Sequence, residues 1–202
     1  MNSPQILQFD TEPQRILLVL PTWVGDVVMA TPFIRALFQR FPDGEITLLM
    51  NRHLFPLLEG SPWVERTCFW PPRKKTPEAK QQHRELVDSL QAQQFDLAVM
   101  LPNSLRSAWL CYRSGAKRRL GFNRDGRGLL LTDKVAVPNR IKGGYQPMPL
   151  CDYFAVLAAS LGMEHPGDQL TLYLTAECDE AVSARLQQEG VRPEQPMVVL
   201  CP

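Results

Sequence analysis

Residues 15–32, RILLVLPTWVGDVVMATP, decide the fold. Arg15 to Leu20 is a short continuous apolar run stopped by Pro21, the pattern of a strand buried on both faces. Downstream, Val27, Ala30, Ile34, Leu37, Phe38 and Phe41 recur at helical spacing and predict a helix over 27–41. Pro32 interrupts that pattern. Either the helix kinks there, or a short first turn is followed by a helix with Thr31 as N-cap and Pro32 at its first position. A buried strand, a short loop and a helix form the opening unit of a parallel α/β sheet. Gly25 and Asp26 fall in the loop, where such sheets bind their ligands.

The same alternation extends along the chain. Glu45–Met50 reads as a second strand after the turn Pro42-Asp43-Gly44, and His53–Glu59 as a brief helix broken by Pro56. Arg66–Trp70 is a third strand, residues 71–76 (PPRKKT) a basic loop, and Pro77–Gln94 a polar, exposed helix. Phe95–Leu101 is a fourth strand and Ser104–Arg113 a helix; Arg119–Phe122 is a short strand entering a Gly-rich loop, and Asp133–Pro138 another strand. Pro149–Leu161 is a helix capped by Gly162, Leu170–Leu174 a strand, and Ala176–Glu189 a helix ending at Gly190. Met197–Leu200 opens a last strand. The prediction is a Rossmann-like, mostly parallel sheet with helices on both faces. Residues 1–14 read as a tail or lead-in.

Composition agrees with a folded α/β protein: of 202 residues, 45% are hydrophobic and 21% charged. No apolar run approaches the roughly 20 residues of a spanning helix, and the N-terminus lacks a signal peptide's basic start and apolar stretch. A cytoplasmic location is expected. Cys68, Cys111, Cys151, Cys178 and Cys201, and His53, His83 and His165, are too dispersed for a zinc site or redox pair, so no metal is expected. The net charge of +1 hides an asymmetry: residues 113–142 carry nine Lys or Arg against Asp125 and Asp133. That points to a local anionic partner, with a solvated surface as the ordinary alternative.

The site candidates follow from position. Gly25 would let the chain turn tightly and a ligand approach. Asp26 would stay ionised beside helix N-terminal amides, or would simply cap the helix. Asn103 and Ser104 follow a strand end, the right place to hydrogen-bond a ligand, although Ser104 could equally be an N-cap. Trp23 could stack on a ligand or fill core; Met148 and Met163 read as packing. Arg113, Arg118, Arg119, Arg124 and Arg127 are interleaved with Gly115, Gly121, Gly126 and Gly128, and Arg presents a fixed donor fork suited to carboxylates and phosphates. There is no G-x-G-x-x-G after the first strand, no phosphate-loop lysine motif and no D-x-D pair. An ordinary dinucleotide enzyme is therefore disfavoured.

Three ordered blocks carry a family resemblance. Residues 21–37, PTWVGDVVMATPFIRAL, are similar to the opening motif of the ADP-heptose:lipopolysaccharide heptosyltransferases of glycosyltransferase family nine. Residues 101–108 (LPNSLRSA), and 115–122 (GAKRRLGF) with 125–132 (DGRGLLLT), resemble the following segments. The LPNS and DGRG forms most resemble enzymes that add the second heptose of the inner core.

That resemblance implies the acceptor-binding half of a GT-B enzyme. The N-terminal domain, residues 15–174 here, would hold an inner-core acceptor of Kdo-lipid A bearing heptose. Residues 175–202 would be the interdomain helix and first strand of a donor domain, which binds ADP-heptose in relatives and which this sequence does not contain. Transfer would invert the anomeric centre without metal or cofactor, and Asp26 matches the family's proposed general base. Thr22, Trp23, Gly25, Asn103, Ser104, Arg106, Arg118, Arg119, Arg124 and Arg127 are the implied acceptor contacts. Arg73, Lys74 and Lys75 could add a contact or meet anionic headgroups of the inner membrane peripherally. No nucleic acid partner is implied. The rival from another class is a non-catalytic binding module for an anionic glycolipid or sugar.

Overall fold

The computed structural model describes residues 6–138, 140–192, 196, 198 and 200. Six strands, β1 (Arg15–Val19), β2 (Glu45–Met50), β3 (Thr67–Phe69), β4 (Leu97–Met100), β5 (Arg118–Phe122) and β6 (Asp133–Val135), form one sheet in the order β3-β2-β1-β4-β5-β6. Every pairing in it is parallel. Central β1 shows why the sequence demanded this. Leu18 lies between Leu48 and Val99, and Val19 between Leu49 and Met100. Ile16, Leu18 and Leu20 face one apolar layer while Leu17 and Val19 face the other. A strand buried on both sides must be apolar at every position, and each such side chain contributes about 1.5–3 kcal/mol. The Rossmann-like expectation holds.

Helix α1 (Val24–Arg40) and α5 (Leu150–Ser160) pack on the first layer; α3 (Pro77–Ala92) and α4 (Leu105–Arg113) cover the second. Met148 and Met163 pack against the first layer, as expected. Helix α1 begins three residues before its expected start and runs unbroken through Pro32. Pro32 has no N–H for the carbonyl of Val28. The Thr31 hydroxyl donates to that carbonyl at 2.8 Å, so the gap in the ladder is filled. Thr31 is therefore not an N-cap. Pro56 likewise does not break the next helix: a 3-10 turn at Arg52–Leu54 leads into α2 (Phe55–Leu58), with Pro56 in its first turn.

Three other expectations are corrected. Leu170–Leu174 forms no strand. The Thr171 N–H donates to Thr31 Oγ1 at 3.0 Å, and the Arg35 guanidinium donates to Gln169 O and Thr171 Oγ1, so this segment lies across α1. Gly60 admits it: a Cβ there would stand 3.0 Å from Tyr173 O. Of the two readings of residues 1–14, the described residues 6–14 form a packed lead-in rather than a tail. The Leu7 N–H donates to Ser160 O, Phe9 meets the edge of Phe41, and Glu12 pairs with Arg40 at 2.8 Å. Finally, β6 stops at Val135, and a small antiparallel hairpin, β7 (Arg140–Ile141) and β8 (Gly144–Tyr145), turns at Gly143 (φ +91°). Helix α6 (Ala176–Gln188) is capped by Thr175 and ends before Gly190 (φ +78°), with no buried side chain. The expected strand Met197–Leu200 falls partly outside the described residues, at Met197 and Val199; Val198 and Leu200 are exposed.

Candidate functional site

The strand order reverses between β1 and β4, so the turns leaving their C-terminal ends diverge and open a crevice. The first turn carries Thr22 and Trp23 and enters α1. Trp23, not Asp26, is the N-cap residue, and its indole is 74% exposed; it fills no core. Gly25 and Asp26 occupy the first helical turn rather than a loop. A Cβ at Gly25 would meet nothing within 4 Å and no positive φ is involved, so the position is open to approach but is not needed for a tight bend. Asp26 is half-buried and makes no hydrogen bond or ion pair with any described residue. It belongs to the first turn of α1, whose amides have no intrahelical partner.

The second turn, Pro102-Asn103-Ser104, is held from beneath by Arg127. Arg127 is 0% exposed. Its Nε donates to Phe122 O (2.9 Å), Nη1 to Pro102 O, and Nη2 to Asn103 Oδ1 (3.2 Å). Asn103 Nδ2 donates onward to the Tyr153 hydroxyl at 2.9 Å, and Tyr153 stacks on Phe122 with ring centres 4.1 Å apart. Burial pulls the Arg127 guanidinium below its ordinary value and pushes the Tyr153 phenol up. The Arg127 contact with acceptor is thereby corrected: its guanidinium ties the Pro102–Asn103 turn to the end of β5 and faces no solvent. Ser104 is the N-cap of α4, accepting from the Ser107 N–H at 3.1 Å, so the expected cap is formed. Arg124 lies at the same rim, 3.2 Å from Asp125 and over the Tyr145 ring.

Arg118 and Arg119 leave the start of β5, the opposite end of the sheet from this crevice. Arg118 pairs with Asp133, donates to Gln8 O and lies over Phe9. Arg119 donates to Ala116 O and Leu130 O. The basic segment 113–142 is thus not one patch; the sheet divides it between its two ends and its interior.

The concentrated positive surface lies elsewhere. Between α3 and α4 is an open cleft of about 810 Å³, reaching the rim at Pro71, Pro72 and Ser104. It is lined by Arg73, Lys74, Lys80, Arg84, Arg106 and Arg113, with His83, Val87 and Trp109, against Asp88 as its acidic group. Arg106 is held over the Trp70 ring at 4.3 Å and donates to Pro71 O. Burial and the neighbouring Arg73 lower the Arg106 guanidinium, and burial with Arg106 and Arg113 lowers His83. Arg73, Lys74, Arg106 and Arg113 are legible as candidates in the sequence. Lys80, His83 and Arg84 are not marked by any motif; the signal that could have found them is that 80, 83, 84 and 87 share one helical face.

Among the described residues no group of three His, Cys, Asp or Glu side chains could hold a metal ion. Cys111 is fully buried and its thiol is pushed up to about 12 by burial, so it is no nucleophile at neutral pH.

The model of the family described as Glycosyltransferase family 9 (heptosyltransferase) matches residues 83–202, more than half of the chain. The chain belongs to glycosyltransferase family 9. Among curated family relatives, lipooligosaccharide heptosyltransferase 2 of Haemophilus influenzae is 30% identical, covering 93% of this chain and 54% of that protein. Lipopolysaccharide heptosyltransferase 2 of Escherichia coli K12 is 29% identical, covering 93% and 53%. The solved structure of E. coli ADP-heptose lipopolysaccharide heptosyltransferase II superposes with a TM-score of 0.63 at 26% identity, over 91% of this chain and 53% of that one. A family 9 glycosyltransferase from Veillonella parvula gives 0.75 at 17% identity, a likeness of fold. This family 9 chain spans about half the length of the curated relatives it matches.

Proposed function

We propose that this chain is the acceptor-binding half of a heptosyltransferase that moves heptose from ADP-heptose to the inner core of lipopolysaccharide, at the second-heptose position. The observation that carries the reading is Asp26: a carboxylate without a partner among the described residues, on the first turn of α1, beside the exposed Trp23 and the open Gly25. A sugar hydroxyl is a weak nucleophile at neutral pH. Asp26 takes its proton as the oxygen bonds to the anomeric carbon and ADP departs with the electrons of the broken C–O bond. General-base assistance of this kind is worth about 10²–10⁴ in rate. Direct displacement inverts the anomeric centre and needs no metal.

Thr22, Trp23 and Gly25 border the reacting hydroxyl, while Asn103 and Ser104 shape the opposite wall. Anionic groups of the acceptor, Kdo carboxylates and lipid phosphates, suit the cleft between α3 and α4, where Ser104 and Arg106 belong to both site and cleft. ADP-heptose is held by the other half of such a transferase, beyond residues 15–174. The protein works on the cytoplasmic side of the inner membrane, in peripheral contact with it; no helix among the described residues is long and apolar enough to cross a membrane.

Two measurements test the reading. In the intact transferase, Asp26→Asn lowers turnover at least about a hundredfold while acceptor affinity is kept; near-normal turnover removes Asp26 from the mechanism, and acceptor binding without any turnover in the wild type favours a binding module instead. Calorimetry on the 202-residue chain should show binding of deacylated heptosyl-Kdo acceptor and none of ADP-heptose. Micromolar ADP-heptose binding would place the donor site in this half.

A further inference from the structure

The outer face of α4 carries exposed apolar side chains, with the Arg119 guanidinium over the Tyr112 ring at 5.6 Å. Leu105, Trp109 and Tyr112, at spacings of four and three, form a stripe directed away from the sheet, whereas Ser107, Ala108, Leu110 and Cys111 face inward. Trp109 is 48% and Tyr112 50% exposed. Beside them, on the 3-10 turn Arg127–Leu130 that packs against α4, Leu129 is 94% exposed. Four exposed large apolar side chains on two elements in contact call for an occupant.

Charge identifies the occupant. Trp109 itself lines the basic cleft, so the stripe is bordered by Arg106 and Arg113 on its own helix and by Arg73, Lys74 and Lys80 across the cleft. An apolar stripe with aromatic rings inside a basic rim matches an anionic bilayer surface, where indole and phenol rings sit at headgroup level and Lys and Arg meet lipid phosphates. A nucleic acid fits less well. Trp109 and Tyr112 lie against each other, ring centres 5.8 Å apart and tilted by 34°, rather than splayed to receive bases, and Leu105 and Leu129 offer nothing to a phosphate backbone.

We propose that the α4 face, with Leu105, Trp109, Tyr112 and Leu129 as inserted groups and the Arg/Lys rim as headgroup contacts, docks the chain on anionic phospholipid. This deepens the membrane contact in the proposed function by assigning it to a surface. That surface adjoins the crevice at Ser104, so a glycolipid would present its sugar to the rim without leaving the bilayer.

The test uses the 202-residue chain and vesicles free of any core oligosaccharide, so its outcome is separate from that of heptose transfer. The chain should co-float with phosphatidylethanolamine–phosphatidylglycerol vesicles and not with phosphatidylcholine, with a blue shift of tryptophan emission that Trp109→Phe removes. Trp109→Ser combined with Leu129→Ser should weaken partitioning about tenfold or more with unchanged melting temperature. Lys74→Gln and Lys80→Gln should each weaken it about fivefold. Absence of wild-type binding, or full binding by the Trp109→Ser, Leu129→Ser variant, overturns the proposal. So does self-association or oligonucleotide binding through the stripe in a chain that ignores vesicles.

Discussion

Arg127→Met separates the role that the charge pattern suggested for Arg127 from the one its surroundings impose. A surface arginine that only meets substrate can be replaced with a stability change within about 0.5 kcal/mol. Arg127 instead serves three acceptors, Phe122 O, Pro102 O and Asn103 Oδ1, from a fully buried position. Hydrogen bonds to a charged donor contribute about 1.5–3 kcal/mol each, an upper gross loss of roughly 5–9 kcal/mol. Against this, the variant no longer has to strip water from a guanidinium, which returns several kcal/mol. The balance is a destabilisation of about 3 kcal/mol, or roughly 6–12 °C in melting temperature for a chain of this size. Thermal unfolding followed by circular dichroism reads it directly. Arg127→Lys should fall between, because one ammonium cannot face three divergent acceptors. A methionine variant melting within about 2 °C of wild type would refute the reasoning and return Arg127 to the surface role.

Gly121→Ala probes the same bolt from below. A Cβ there would stand 3.0 Å from Arg127 Nη2, a side chain with no free space to retreat into, so a loss of about 1–3 kcal/mol is expected by urea unfolding. Thr31→Val strips partners from Val28 O and the Thr171 N–H together; a loss of about 2 kcal/mol and faster proteolysis near 163–175 should follow. His83 titrates below its usual 6.5 because of burial and then Arg106 and Arg113. The fold thus favours the neutral ring; its contribution to stability is present above the unfolded value and is lost as pH falls through the window beneath it. Pyrophosphate in the cleft should reverse that bias and raise the His83 value in an NMR titration; an unmoved value at saturating pyrophosphate would mean the cleft binds no anion.

What the sequence disclosed and what it hid follow one rule. Periodicity reports burial, and it served wherever burial was the cause. Residues 15–20 and 45–50 are apolar at nearly every position because both faces of the sheet are covered, and both strands lie within a residue of their expected bounds. Leu170, Leu172 and Leu174 alternate as a strand should, yet they are exposed; here the alternation reflects a segment laid over α1 and tied to Thr31 and Arg35. Charge density failed for a different reason. A run of Arg along a chain does not say which end of a parallel strand each one leaves, so Arg118 and Arg124, only six positions apart, stand at opposite ends of β5. The cleft between α3 and α4 was hidden because its cations come from separate stretches of chain, the 71–76 loop, α3 and α4.

Asp26 shows how structure narrows what sequence leaves open. Cap and base were both compatible with its place after β1. The helix begins with Trp23 as its cap residue, so Asp26 is the third residue inside the helix, and no side chain caps the first amides. A carboxylate there is worth about 0.3–1 kcal/mol through the helix dipole. The acid stands where the sheet order reverses and the two site turns diverge. A general base at the same place is worth about 3–5 kcal/mol of barrier. The first figure is folding stability and the second a rate, so the two roles do not compete, and the open approach past Gly25 leaves Asp26 reachable for the role of base that we propose.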